Sequence, residues 1–326
     1  MKALIYDGPE TLGFRDFDTP VAGDGEDLVR IEAVGICGSD MHAYLGHDDR
    51  RPAPLILGHE AAGVVQGGPR DGMRVTVNPL VPCGTCAACL SGRVNICATR
   101  QIISMPPREG AFAQYVAMPN ENLVEVPMSV PLDKAALAEP LSVSWHTARL
   151  AHEALDPNME RRSLIIGGGA IGLASALALK AMGVDDITVV EPNAARRAFL
   201  IERCGQNAVA SADGMYPLVV DAVGYAATRA MASAAAAPGG VIAHVGLGDG
   251  EGGLDIRRMT LQEITFIGTY CYTAQDFRDT AQAIFDGRLG PLDWFEPRSL
   301  SDGFQAFKDL RAGAVASPKI MLDPWG

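Results

Sequence analysis

Four cysteines fall within fifteen residues, as Cys83-x-x-Cys86-x-x-Cys89-x7-Cys97. Four thiolates and no vacancy describe a closed, structural zinc site. The residues between them, Gly84, Thr85, Ala87 and Ala88, are small or polar, so the loop can wrap tightly. An iron–sulfur cluster is the other reading of four thiolates, but the chain carries no companion redox motif. A second set is dispersed: Cys37 in Gly35-Ile36-Cys37-Gly38-Ser39-Asp40-Met41-His42, then His59 and Glu60 after Gly58, then Glu139 in Ala138-Glu139-Pro140-Leu141. Cys, His and Glu are all competent zinc ligands, and three protein ligands with an open position is the catalytic arrangement.

A third constellation is glycine-rich. Leu164-Ile165-Ile166 leads into Gly167-Gly168-Gly169-Ala170-Ile171-Gly172, and an Ala/Leu helix follows. A second apolar run, Ile187–Val190, ends at Glu191, nineteen residues after Gly172. That is the strand–turn–helix–strand–acid context of a dinucleotide fingerprint. Gly167 permits the tight turn, Gly169 admits the pyrophosphate and Gly172 allows close helix–strand packing. The phosphates then rest on the unpaired N–H groups of Ala170, Ile171 and the rest of the first helical turn. Glu191 accepts from both ribose hydroxyls and repels a 2′-phosphate, which favours NAD over NADP. Arg196 and Arg197 stand close enough in sequence to soften that repulsion.

These residues need two kinds of scaffold. Residues 1 to about 140 alternate turn residues with β-prone runs, Asp27–Val34, Gly63–Gln66, Met73–Asn78 and Phe112–Met118, the pattern of a β-rich lobe with functional loops. Beyond 141, helical stretches Leu141–Leu150 and Gly169–Gly183 alternate with unbroken apolar runs, Ser163–Ile166, Asp186–Val190, Leu218–Val223 and Val241–Val245. Unbroken apolar strands between helices predict a parallel sheet covered on both faces. Ala232–Ala237 reads as a helix stopped by Pro238-Gly239-Gly240. From 271 the chain returns to mixed helix and strand and closes on Lys319–Leu322.

The bulk numbers bound the partners. The 326 residues suffice for two domains, with 48% hydrophobic and 20% charged residues. A net charge of −12 opposes nucleic acid and anionic membrane. Ser175–Leu179 breaks at Lys180, far short of a membrane span, and Met1–Gly8 has no signal-peptide core. A cytoplasmic, reducing location is expected, where clustered cysteines bind metal rather than pair. Cys204 and Cys271 stand alone and read as buried small hydrophobes. His146 reads as packing on its helix. The run His47-Asp48-Asp49-Arg50-Arg51 reads as a solvated loop.

Taken in order, these motifs resemble the zinc-containing medium-chain dehydrogenase/reductase family, and the resemblance covers nearly the whole chain. It implies an α/β protein: a GroES-like β-rich catalytic domain (1–141 and 271–326) plus a Rossmann doubly wound parallel sheet (142–270). It implies two zinc ions per chain. Cys37 and His59 are then ligands of the catalytic ion with Glu60 or Glu139, while Cys83, Cys86, Cys89 and Cys97 hold the structural ion. Glu139 stands where alcohol dehydrogenases place a second cysteine. Ala138–Val143 is similar to the branch of sorbitol, threonine, idonate and galactitol-phosphate dehydrogenases, whose substrates are polyols, sugar acids and related polar alcohols. Ala43-Tyr44 and Cys271-Tyr272 depart from the sorbitol enzymes, and the loops after Gly63 and Ala210 are short.

The implied reaction moves a hydride from a secondary hydroxyl to NAD. Ser39 hydrogen-bonds the substrate oxygen, His42 relays the proton to solvent, and Glu60 lies at the reacting centre. By resemblance, Val143 packs on the nicotinamide and the protein is a homotetramer or homodimer. The competing readings are a threonine- or sugar-phosphate-type dehydrogenase, a zinc-free reductase of the same fold, and a non-catalytic zinc- and nucleotide-binding sensor.

Overall fold

The computed structural model describes residues 1–326. The chain divides into two compact units. The first comprises Met1–Glu139, Thr273–Gly287 and Phe295–Gly326, and the second Pro140–Tyr272 and Arg288–Trp294. The family resemblance implies that all of 271–326 belongs to the first, whereas Arg288–Trp294 belongs to the second. Arg288–Trp294 goes with the second because its side chains bury there: Leu289, Leu292 and Trp294 are buried, and the Arg288 guanidinium lies 5.5 Å from the Trp145 ring centroid.

The first unit is built on a seven-stranded sheet. Its order is Leu123–Glu125, Arg74–Val77, Glu60–Gln66, Glu26–Gly35, Lys319–Asp323 and Phe295–Ser299, with Tyr115–Pro119 also paired to Glu26–Gly35. Glu26–Gly35 alternates buried and half-buried residues over most of its length, as a sheet with one covered face requires. Its carboxyl end, Gly35, pairs with Glu60 on one side and Met321 on the other. The turn after it therefore delivers Cys37 beside His59-Glu60 and the closing strand. A small sheet, Thr11–Asp16, Lys2–Gly8 and Leu55–Ile56, packs into the same core. Leu4, Ile31, Ile56, Phe112 and Phe307 are fully buried there.

The second unit is a six-stranded sheet, all parallel, in the order Ala208–Val209, Asp186–Val190, Arg162–Ile166, Tyr216–Asp221, Ala236–His244 and Thr265–Gly268. The chain starts at Arg162–Ile166, steps outward twice, then returns to the other side of its first strand. That reversal is a topological switch point, where doubly wound sheets bind ligands at the carboxyl ends of their strands. Gly167–Gly169 lies there, directly before the helix Ala170–Ala181.

One expected element is corrected. The helix Ala226–Ala235 stops before the predicted Pro238 break, and Ala236–His244 is a strand that runs through Pro238-Gly239-Gly240. Tyr216 pairs with Ala236 but Leu218 already pairs with Val241. The extra residues form a bulge, one of the few places where a sheet tolerates proline. No helix is long and apolar enough to cross a membrane.

Candidate active site

Cys86 caps the short helix Ala87–Leu90, and Gly84 turns the chain with φ +74°. This wraps the four thiols around one point, with all four sulfurs within 4.8 Å of one another. Cys86–Cys89 and Cys97–Cys83 are 3.5 Å apart and Cys83–Cys89 is 3.9 Å. Tetrahedral zinc with bonds of about 2.3 Å sets its sulfurs about 3.8 Å apart, so the set fits that ion. Backbone N–H groups of Thr85 and Cys86, with the Thr85 hydroxyl, lower Cys83 to about 5. Desolvation and the neighbouring Cys86 thiol push Cys89 up to about 12. Such crowding of thiols is relieved when a cation takes their protons' place.

Cys37, His59, Glu60 and Glu139 are grouped more loosely; only the four-cysteine set has its ligand atoms gathered within 4.8 Å. Cys37 ends the turn after Gly35 and caps the helix Gly38–Tyr44, its N–H donating to Asp40 Oδ2 at 3.0 Å. Asp40 is fully buried, and its other oxygen accepts from Gly58 N–H at 3.1 Å and lies 3.3 Å from His59 Nδ1. One carboxylate thus ties the cysteine turn to the histidine turn. Ser104 Oγ also lies 3.3 Å from Nδ1, and Ser39 Oγ lies 3.4 Å from Nε2. Burial pushes the His59 imidazole down, but the Asp40 carboxylate and the Cys37 sulfur beside it outweigh this and hold it well above its usual value. The pocket's field therefore favours positive charge.

Glu60 is fully buried, and its Oε1 accepts from Lys319 Nζ at 2.6 Å. Its Oε2 has no hydrogen-bond partner, so one carboxylate oxygen is left to approach a cation. Lys319 also donates to Ile36 O at 2.9 Å. Burial opposes its charge, but Glu60, Cys37 and Glu139 raise its pKa above the usual lysine value. Glu139, in the first turn of the helix Ala138–Ala154, is buried close enough to act on the same ammonium. The four candidate ligands thus share one neighbourhood, and its donor set suits a divalent ion.

His42 is exposed on the helix Gly38–Tyr44, with its ring edge-on to His47 at 6.5 Å between centroids. Arg51 corrects the solvated-loop reading, being only 3% exposed. It donates to Ser39 O at 2.8 Å and Ser104 O at 3.0 Å. Sequence reasoning missed Ser104 and Lys319 altogether, since neither belongs to a metal or catalytic motif. Cys204 and Cys271 are half-buried rather than core residues.

In the second unit the glycine turn has the shape its spacing predicts. Gly167 has φ +98°, a conformation that penalises any Cβ. A Cβ at Gly172 would stand 1.8 Å from Gly167 O, whereas at Gly169 it would meet nothing within 4 Å. Open space at 169 is where a pyrophosphate needs it. Glu191 directly follows the strand Asp186–Val190 and is buried, its Oε2 accepting from Gly168 N–H at 3.1 Å and its Oε1 from Asn193 N–H at 2.8 Å. Arg196 Nη1 lies 3.4 Å from Oε2, and Arg197 donates to the Glu191 carbonyl at 2.8 Å. Val143 is half-buried on its helix, and Thr147 Oγ1 donates to its carbonyl at 2.9 Å. His146 is buried, with Nδ1 3.3 Å from Arg149.

The sequence matches the alcohol dehydrogenase GroES-like domain over residues 23–128 and the zinc-binding dehydrogenase domain over residues 170–286. It is 30% identical over 308 residues to L-galactonate-5-dehydrogenase of Escherichia coli (strain K12), covering 89% of this chain and 88% of that one. The chain belongs to the zinc-containing medium-chain dehydrogenase family. It is therefore an oxidoreductase that uses zinc and a nicotinamide cofactor. A probable D-xylulose reductase A of Aspergillus clavatus is 28% identical over 340 residues, covering 95% and 94% of the two chains. Among solved structures, a putative zinc-binding dehydrogenase from Sinorhizobium meliloti 1021 bound to NADP superposes with a TM-score of 0.88 at 26% identity, covering 99% of both chains.

Proposed function

We propose that the protein oxidises a secondary hydroxyl of a polyol, sugar acid or related polar alcohol and passes the hydride to NAD. The observation that carries this reading is the pair of buried glutamates, Glu60 and Glu139, beside Cys37 and His59. A carboxylate there accepts hydrogen bonds from the neighbouring hydroxyls that polyols and sugar acids carry. The relatives named for L-galactonate and D-xylulose support the same substrate class.

Two zinc ions per chain fit the two donor sets. Cys83, Cys86, Cys89 and Cys97 would hold one and stabilise the fold. Cys37 and His59, with Glu139 or Glu60 as third ligand, would hold the other. Zinc at that site supplies Lewis acidity to the substrate hydroxyl. Ser39 Oγ, already beside His59 Nε2, would hydrogen-bond the substrate hydroxyl, accepting its proton while releasing its own toward His42. His42, at the solvent face of the same helix, hands the proton to water. NAD would supply the hydride acceptor; Gly167–Gly172 would hold its pyrophosphate, Glu191 its adenosine ribose and Val143 the face of its nicotinamide. Both Glu191 oxygens are fixed by backbone N–H groups, so the charge that repels a 2′-phosphate cannot swing aside. Arg196 offsets part of that charge, and one relative of the same fold is bound to NADP.

The metal-binding reading of the clustered cysteines suits a reducing, cytoplasmic location. A homodimer or homotetramer would cover the exposed Leu247, Ile256 and Leu261. The substrate test is NADH formation across polyols, sugar acids, sugar phosphates and threonine, with and without a zinc chelator. Turnover of a polyol or sugar acid that the chelator abolishes is expected, with NAD preferred over NADP; a threonine- or sugar-phosphate-only profile overturns the substrate class. Cys37→Ser is expected to abolish turnover while NADH still binds, read by its fluorescence. Full activity in a metal-replete Cys37→Ser protein rules out the ligand assignment.

A further inference from the structure

We propose that Arg51 and Ser104 are positioning residues for His59, setting how tightly its zinc is held; this rests on the reading of Cys37 and His59 as zinc ligands. Hydroxyls from different parts of the chain grip the His59 ring; zinc would displace one of them, Ser39 at Nε2, leaving Nδ1 to Ser104 and to Asp40 Oδ1 at 3.3 Å. Ser39 Oγ, in the first turn of Gly38–Tyr44, lies 3.4 Å from Nε2, and Ser104 Oγ, in the turn after Gln101–Ile102, lies 3.3 Å from Nδ1. Arg51 joins the two grips. Its Nη1 donates to Ser39 O at 2.8 Å, its Nε to Ser104 O at 3.0 Å and its Nη2 to Ser104 Oγ at 3.4 Å. Asp48 Oδ2 accepts from Nη1 at 3.2 Å and balances the buried charge.

The geometry requires a guanidinium. Three nitrogens of one rigid plane are used at once, which a lysine ammonium cannot reproduce. Ser104 is fully buried with φ +71°. A glycine would take that left-handed conformation without strain, and strained backbone of this kind gathers at functional sites. What serine adds over glycine at 104 is the Oγ that contacts Nδ1 and accepts from Arg51 Nη2. Groups that orient a ligating histidine through its other nitrogen change metal affinity by about 10- to 100-fold.

The test uses Ser104→Gly and Arg51→Lys, each purified zinc-replete and titrated with a competing chelator. Zinc per chain, thermal midpoint, kcat and KM are read together. Wild-type protein should release its two ions in two steps. In both variants the step belonging to Cys37 and His59 should move to about 10-fold lower chelator, while the four-cysteine step stays. The thermal midpoint of Ser104→Gly should equal or exceed wild type, and zinc added back should restore its kcat. Unchanged release in both variants overturns the proposal. So does parallel loss of both ions with a lowered midpoint in Ser104→Gly, which a merely structural role would give. A wild-type chain that holds a single zinc overturns instead the ligand reading beneath it.

Discussion

At the scale of single residues, the Lys319–Glu60 pair is the most exposed to test. Both side chains are almost fully buried, and Nζ sits 2.6 Å from Oε1. Removing one partner of a buried pair leaves the other charge unsolvated, at a cost of about 3–5 kcal/mol. Lys319→Met should lose stability on that scale in urea unfolding, and Lys319→Met with Glu60→Gln should recover a good part of it. Equal losses in the single and double variants would show that the two do not act as a pair. Cys37 and His59 stand out as candidates in the sequence because thiol and imidazole are ligand types and sit in short motifs. Lys319 and Arg51 do not, because their partners lie 259 and 53 residues away. Their chemistry exists only after folding. Arg51, in a mixed-charge run, has the local pattern of a solvated side chain, and Asp48 three residues before it was the one available hint.

At the scale of elements, the carboxyl ends of the parallel strands carry a pH-dependent part of the fold. Asp221 ends the strand Tyr216–Asp221, and its Oδ1 accepts from Val223 N–H at 3.0 Å and Gly224 N–H at 2.9 Å. Its Oδ2 accepts from the Thr228 hydroxyl at 3.0 Å and lies 3.3 Å from His244 Nδ1. Burial raises its pKa, but the His244 contact and these N–H and O–H donors outweigh burial and hold it below the usual carboxylate value. A depressed pKa in the folded state means that the stabilisation is complete above the unfolded value of about 3.9 and is lost as pH falls through the folded one. Asp221→Asn should therefore be less stable at neutral pH, by about 1–3 kcal/mol, and flatter in the acid range, in urea midpoints taken from pH 7 to pH 3. Parallel curves for the two proteins would refute the assignment. Strands and helices here were legible from periodicity, and Asp186–Val190 has the bounds its apolar run predicts. The strand Ala236–His244 was not, because Pro-Gly-Gly is the same signal whether it stops a helix or makes a bulge. Only the register with Tyr216–Asp221 distinguishes them.

At the scale of the molecule, each unit has its own apolar core. Leu4, Ile31, Phe112 and Phe307 belong to the first, and Leu164, Val190, Val219 and Ile242 to the second. Both candidate zinc sets lie in the first unit: Cys37, His59, Glu60 and Glu139 together with the four-cysteine loop. The glycine turn and Glu191 lie in the second. Near residue 141 short β-prone runs separated by turn residues give way to helices alternating with unbroken apolar runs, close to the boundary between the units, while the return of Arg288–Trp294 to the second unit depends on tertiary burial that no local pattern records. A ligand stabilises only the folded state that binds it, so metal and dinucleotide should act on different parts of the unfolding curve. Calorimetry of the zinc-replete protein is expected to give a higher-temperature transition than the chelated one. In chelator the first unit's transition should fall and separate from the second unit's. NADH added to the chelated protein should then raise only the transition that chelator left in place. One transition that moves as a whole with either ligand would mean that the two cores unfold as a single cooperative unit.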